Sequence, residues 1–193
     1  MTDLLHRLKT ETRARHERTE ALLFADKLMT GTLSRAEYEQ LLGIHYGFHS
    51  ALEQAIANQS TFFADYDRLT RRKTPWLVAD LAQVQVPLPD RSPSLFVNWT
   101  GYELLGALYV AEGSMLGGQV IVRALRKTPA LTGLESRFFA GYGAETGLHW
   151  KAFCAYLVSH ANGHDDEIIR AADRAFAFFE ELSEQATEQV SHT

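Results

Sequence analysis

The apolar residues of this chain recur at threes and fours almost from end to end, the period of helices that each bury one face. From 3 to 24, Leu5, Leu8, Thr12, His16, Glu20 and Leu23 form one stripe with arginines and glutamates opposite, so the segment reads as one amphipathic helix that turns His16 inward. Gly31 closes that unit. Ser34 and Glu37 make a capping box, which opens a helix from about 35 to 57 along which Tyr38, Leu41, Leu42, His45, His49 and Leu52 repeat. Residues 61–83 read as shorter helices, with Trp76 anchored after Pro75 at a favoured first-turn position. The stretch VQVPLPDRSPS, carrying Pro87, Pro89 and Pro93, is a connection. Beyond it, 133–143 holds a short helix whose Phe138 and Phe139 seek burial. A helix starting at Thr146 or Gly147 carries Trp150, Phe153, Tyr156 and Leu157 and stops at Asn162 and Gly163. The last helix, about 165 to 187, gathers Ile168, Ala172, Phe176, Phe179 and Leu182 on one side. No alternating run of strand length appears, so the expectation is an all-α, multi-helical fold built as one domain over 1–193.

One stretch, 98–127, breaks the rules of an ordinary helix. Thr100 with Glu103 caps its start, Arg123, Arg126 and Lys127 suit its C-terminal end, and Pro129 closes it. Between them lie Gly101, Gly106, Gly113, Gly117 and Gly118, and each interior glycine costs a helix about 1 kcal/mol relative to alanine. Gly113 and Gly117 share a face, with Gly118 beside them, which leaves a strip of bare backbone. Three readings fit. Residues 104–122 are apolar enough for a membrane span, although Glu112, Ser114 and Gln119 interrupt them. The glycines also suit tight helix packing in a core, or a helix lying over a planar cofactor.

Composition narrows the field. The chain has 193 residues, 46% of them hydrophobic, and a formal net charge of −5, which gives no nucleic-acid footprint. Cys154 is the single cysteine; it excludes an internal disulfide, fits a reducing compartment and reads as a buried structural residue. The N-terminal sequence lacks an apolar run of signal-peptide length, so a cytoplasmic location is expected.

Two groups of residues carry candidate chemistry. Glu20 lies one turn beyond His16 on the same face, where a carboxylate orients an imidazole and raises its basicity, as beside a metal-bound histidine; Thr12 lies one turn before, and Lys9 shares the stripe. A buried His–Glu hydrogen bond without metal has the same signature. His45 and His49, four apart with Glu53 beyond, have a spacing that suits a metal, and a nonheme di-iron enzyme on a helical scaffold would need all three as ligands.

Taken together, LKTETRARHERTE near the N-terminus and EGSMLGGQ in the glycine-rich stretch resemble the two signature segments of the heme oxygenases. FFAGYGAETGLHWKAF resembles the region after the distal helix in bacterial, biliverdin-producing members, and with FFEEL it extends the likeness over nearly the whole chain. The resemblance implies heme b sandwiched between a proximal N-terminal helix and a distal glycine-rich helix. His16 becomes the ligand of the heme iron, with Glu20 and Thr12 as its supports, while Gly113, Gly117 and Gly118 let the distal backbone pass close to the porphyrin. Many members carry an aspartate after the first distal glycine where this chain has Ser114, which can exchange hydrogen bonds with water but carries no charge. Lys9 and Lys151 are the implied partners of the heme propionates, with Arg123 and Arg126 as weaker candidates.

The implied reaction uses heme as both cofactor and substrate. It consumes O2 and yields biliverdin, ferrous iron and carbon monoxide, with electrons from a separate ferredoxin or reductase, since the chain has no flavin or nucleotide motif. A bilin-accepting protein is a further implied partner. The alternative is a heme carrier or sensor that binds heme without degrading it, which Ser114 favours.

Overall fold

A computed structural model describes residues 3–89 and 95–191; Pro93 of the connecting stretch lies outside them. Ten α-helices follow in order among the described residues, with no strand: α1 (Asp3–Glu11), α2 (Arg13–Leu22), α3 (Ala25–Thr30), α4 (Arg35–Asn58), α5 (Thr74–Val84), α6 (Gly101–Ser114), α7 (Gly118–Lys127), α8 (Arg137–Ala140), α9 (Thr146–His160) and α10 (Asp165–Ser191). Both capping boxes form as the sequence indicates, Ser34 with Glu37 on α4 and Thr100 with Glu103 on α6.

The first expected helix is two. Thr12 breaks it, buried, with its hydroxyl donating to the Leu8 carbonyl at 2.7 Å and its backbone at φ −94, ψ 0. A threonine bonded back to the carbonyl four residues earlier bends a helix, and here α2 starts at a new angle. Phe24, at φ 61, ends that second piece and starts α3, a helix the periodicity did not reveal.

The glycine-rich stretch is likewise two helices, α6 and α7, joined by a single 3-10 turn over Met115–Gly117. It is the one segment among the described residues long and apolar enough to cross a membrane, and half of its most apolar window is buried in the protein. The chain uses it as a core helix. α10 packs along α6 more extensively than any other pair of helices, and Gly106 makes that possible. A Cβ at Gly106 would stand 2.3 Å from the Ile168 carbonyl oxygen and 2.8 Å from the Ala172 nitrogen, both backbone atoms of α10.

Two apolar clusters flank α4. Ile44, Phe48 and Leu52 join α6, α9 and α10 through Leu104, Leu105, Phe153 and Ile168; Tyr38, Leu41 and Leu42 join α5, α7 and α8 through Leu77, Leu125 and Phe138. The four-residue α8 is held at its start by buried Asp80 of α5, which accepts from the Ser136 hydroxyl and from the Arg137 and Phe138 amides at 2.7–3.0 Å. That capping brings Phe138 and Phe139 into the core as expected.

Gly106→Ala is expected to cost about 1–3 kcal/mol or more, because a methyl group there meets backbone that cannot rotate away. The shift of the urea midpoint at unchanged slope measures it, and an unshifted midpoint would contradict the packing.

Candidate functional site

His16 stands at the surface of α2 rather than inside it. Its side chain is 49% exposed, with a Glu20 carboxylate oxygen 3.6 Å from Nε2, beyond hydrogen-bond length. The inward turn expected from the stripe fails because the break at Thr12 redirects α2. Thr12, with its proton committed to Leu8, keeps only lone pairs free. One ring face does have a partner: the buried Phe176 of α10 meets the imidazole edge-on, with centroids 5.4 Å apart at 79°. α10 also holds the rest of α2. Arg15 reaches Asp173 and Glu180, Arg18 reaches Glu180, and the Thr19 hydroxyl donates to the Phe176 carbonyl, all at 3.3–3.4 Å.

The three distal glycines separate on inspection. A Cβ at Gly118 would lie 2.2 Å from the Phe139 carbonyl oxygen, so the packing of α7 on α8 by itself demands glycine there. At Gly113 a Cβ would make ordinary contact with Trp150 at 3.7 Å. At Gly117 it would meet nothing within 4 Å, and the backbone (φ −76, ψ −16) is one that any residue adopts. Leu116 and Val120 beside it are about half exposed, at 48% and 47%. The Ser114 hydroxyl donates to the Ala111 carbonyl at 2.8 Å, which leaves its oxygen able to accept.

Of the expected cations, Lys9, Arg123 and Lys151 are exposed, and none forms an ion pair with the described residues. Lys9 and Lys151 sit on α1 and α9, which pack on each other, whereas Arg123 stands apart on α7. α2 and α6 both rest on α10, and α3 rests on α7, with no extensive contact between α2 and the α6–α7 corner. Cys154 is only partly buried, and burial pushes its thiol up.

On the other side of α6 lies a polar cluster that the sequence reading passed over. Glu112, 2% exposed, accepts from Arg71 at 2.8 Å, from Lys73, and from the Tyr66 and Tyr142 hydroxyls at 3.2–3.3 Å. A lone carboxylate in an apolar helix needs buried cations, and the run Arg71, Arg72, Lys73 was the available signal. Its direction agrees with helix geometry, which turns Glu112 away from Gly113 and Gly117.

His45 and His49 do not form a metal site with Glu53. Glu53 accepts from the Lys73 and Thr74 amides at 2.6 and 2.9 Å and pairs with Arg72. No group of three or more His, Cys, Asp or Glu among the described residues is placed to hold a metal ion. His45 is buried among Phe138, Phe139 and Phe179, which pushes its pKa down to about 3. His49 is pushed well below the ordinary value by burial first, then by His45 and Lys73.

Both histidines therefore stay neutral in the folded chain while the unfolded chain takes up protons near pH 6.5. The unfolded state then binds more protons, so stability falls as pH drops below that value, each histidine contributing up to about 1.4 kcal/mol per pH unit. His45→Leu is expected to remove one such share of the slope between about pH 6 and 4, as read from urea unfolding at several pH values. An unaltered slope would show that His45 is protonated in the fold.

Comparison with known proteins adds sequence and fold. A family profile described as heme oxygenase matches residues 2–91 and 89–185. Heme oxygenase PigA of Pseudomonas aeruginosa is 29% identical over 186 residues, which is 93% of this chain and 90% of that protein. Heme oxygenase from Leptospira interrogans has a TM-score of 0.79 at 16% identity, covering 95% of this chain and 100% of its own. Heme oxygenase-2 from Synechocystis sp. PCC 6803, solved in complex with heme and NO, has a TM-score of 0.79 at 17% identity, covering 99% and 88%. At these identities the two structures speak for the fold.

Proposed function

The chain belongs to the heme oxygenase family, whose activity is the oxidative cleavage of heme to biliverdin, and we propose that its heme lies between α2 and the α6–α7 corner with His16 as the iron ligand. Gly117 carries this reading. Its neighbours Gly106 and Gly118 are glycines because protein backbone comes within 2.3 Å of where a Cβ would be, whereas Gly117 gives up about 1 kcal/mol of helix stability with no protein atom near. A flat ligand lying against Gly117, and against Gly113 one turn before, accounts for that loss.

The remaining residues fit the same placement. The half-exposed imidazole of His16 is reachable by an iron centre, and Glu20 beside it favours the proton arrangement that makes the ring a better donor. Lys9 and Lys151 on adjacent helices, and Arg123 on α7, form no ion pair with the described residues and are the cations for two propionates. Leu116 and Val120 supply apolar surface that keeps bulk water off the ring. When bound, heme supplies the redox-active iron and is itself the carbon skeleton that is cut. Ser114 then serves as an acceptor for an ordered water, its own proton being held by Ala111, so proton delivery runs through solvent and not through a charged side chain at this position.

O2 is the oxidant in this reading, and the electrons come from a separate ferredoxin or reductase. The product passes to solvent or to a bilin-accepting protein. The rival reading, a heme carrier or sensor, rests on Ser114 alone and predicts binding without turnover.

The test is an absorption series with hemin, followed by reductase and ferredoxin under air with catalase present. Loss of the Soret band with growth of a broad red bilin band is expected; a stable ferrous or oxygenated spectrum would favour the carrier. His16→Ala is expected to lose the imidazole signature in the ferric electron paramagnetic resonance spectrum together with turnover. Normal turnover of that variant without added imidazole would refute the ligand assignment. Gly117→Ala separates ligand from scaffold: stability is expected to hold or rise by up to about 1 kcal/mol while hemin binds at least about tenfold more weakly. Equal hemin affinity would remove the argument from Gly117.

A further inference from the structure

The cluster around Glu112 is one positive charge out of balance. Its ions are all buried, with side-chain exposures of 8% for Arg71, 3% for Lys73 and 1% for Glu112, so water screens none of them well. The Lys73 Nζ donates to Glu112, to the Arg71 carbonyl at 2.9 Å and to the Tyr142 hydroxyl at 2.8 Å, which uses all three protons of an ammonium ion. Burial first, then the Glu112 carboxylate, pushes the Tyr66 and Tyr142 hydroxyls up, so neither adds a negative charge. Glu53 beside Lys73 is answered by Arg72, and the buried Asp80 gives its oxygens to the start of α8. Three cations at 71–73 thus face two carboxylates. The excess is felt nearby: His49, pushed down first by burial and then by His45, is pushed down further by Lys73.

The cluster borders the proposed heme site through two helices. On α6, Glu112 directly precedes Gly113. On α9, the Arg71 guanidinium donates to the His149 carbonyl at 3.1 Å, and the Tyr142 ring stacks on the His149 ring with centroids 4.1 Å apart. The next residue, Trp150, is the side chain that a Cβ at Gly113 would meet at 3.7 Å. Resting on the heme placement above, we propose that Arg71, Lys73 and Glu112 hold a net positive charge behind Gly113 that favours anionic over neutral ligands on the heme iron. An interior charge acts across the width of a helix because no counterion can enter to screen it. The reaction delivers electrons to O2, so negative charge builds up on this face, and a fixed buried cation stabilises it without reorganising. Glu112 sets the size of the effect, since it cancels one of the two cations and holds both in place.

The test uses the full chain loaded with hemin, with azide as the anionic probe of the ferric protein and carbon monoxide as the neutral probe of the ferrous protein. Lys73→Met and Arg71→Met each remove one positive charge and are expected to weaken azide about fivefold, with carbon monoxide changed by less than about twofold. Glu112→Gln adds one positive charge and is expected to tighten azide by a similar factor. The double variant Glu112→Gln with Lys73→Met regains the parent net charge without the ion pair, and its azide affinity is expected to return to the parent value. A purely anchoring role gives a different pattern, in which both probes weaken together and the double variant loses most. Where Glu112→Gln does not fold, the two cation variants decide: azide affinity equal to the parent's, or an equal loss for both probes, overturns the proposal. Hemin bound to the parent chain without the His16 imidazole signature in its paramagnetic resonance spectrum overturns the heme placement and this proposal with it, whereas His16 ligation with azide unmoved by charge overturns this proposal alone.

Discussion

At Gly106 the backbone of α6 runs against the backbone of α10, close enough that a single methyl group would collide with Ile168 and Ala172. Everything proposed for the site hangs from this contact. α10 carries α2 through Arg15, Arg18 and Thr19, and so positions His16, while α6 carries Gly113, Ser114 and the turn to Gly117. In the proposed placement, the spacing between His16 and Gly117 is therefore set where α6 and α10 touch. On that reading Gly106 bears on the proposed site through packing geometry alone.

Glu112 plays the corresponding part on the opposite face. Placing a carboxylate in the interior costs several kcal/mol unless it is fully paired, and here two cations and two tyrosine hydroxyls converge on it. Such a cluster adds little net stability over an apolar replacement, but it fixes position. It pins the 66–74 segment and Tyr142 to the last turn of α6, immediately before the helix tightens at Met115.

Much of this was legible in the sequence, and the reason differs by residue. The capping boxes at Ser34 and Thr100, and Pro75 in a first turn, are local, and local rules recovered them. The family likeness rested on two segments about a hundred residues apart, and the family profile spans both. The break at Thr12 was missed because a threonine in an amphipathic stripe reads the same whether its hydroxyl bonds back to the helix or not. His16 looked inward for that reason. Glu112 read only as an interruption of an apolar stretch, because its partners at 71–73 are distant in sequence and no periodicity connects them. The glycines were the least legible: spacing groups Gly113, Gly117 and Gly118 together, whereas only the fold reveals that Gly118 answers to Phe139.

The two sides of the proposed heme placement, α6 and α2, are held by forces of different kinds. α6 is fixed by backbone packing and by a buried charge cluster, neither of which salt or solvent screens appreciably. α2 is fixed to α10 by partly exposed ion pairs, Arg15 with Asp173 and Arg18 with Glu180, each worth about 0–1 kcal/mol at the surface, and by one long hydrogen bond from Thr19. In the proposed placement the α6 side is thus held by buried contacts and the His16 side by more exposed ones. For an enzyme that destroys its own cofactor this asymmetry is useful, because a new heme must enter at every turnover. If His16 is the iron ligand as proposed, the more weakly tethered α2 is the side at which heme would be admitted, with the packed α6–α10 core left undisturbed.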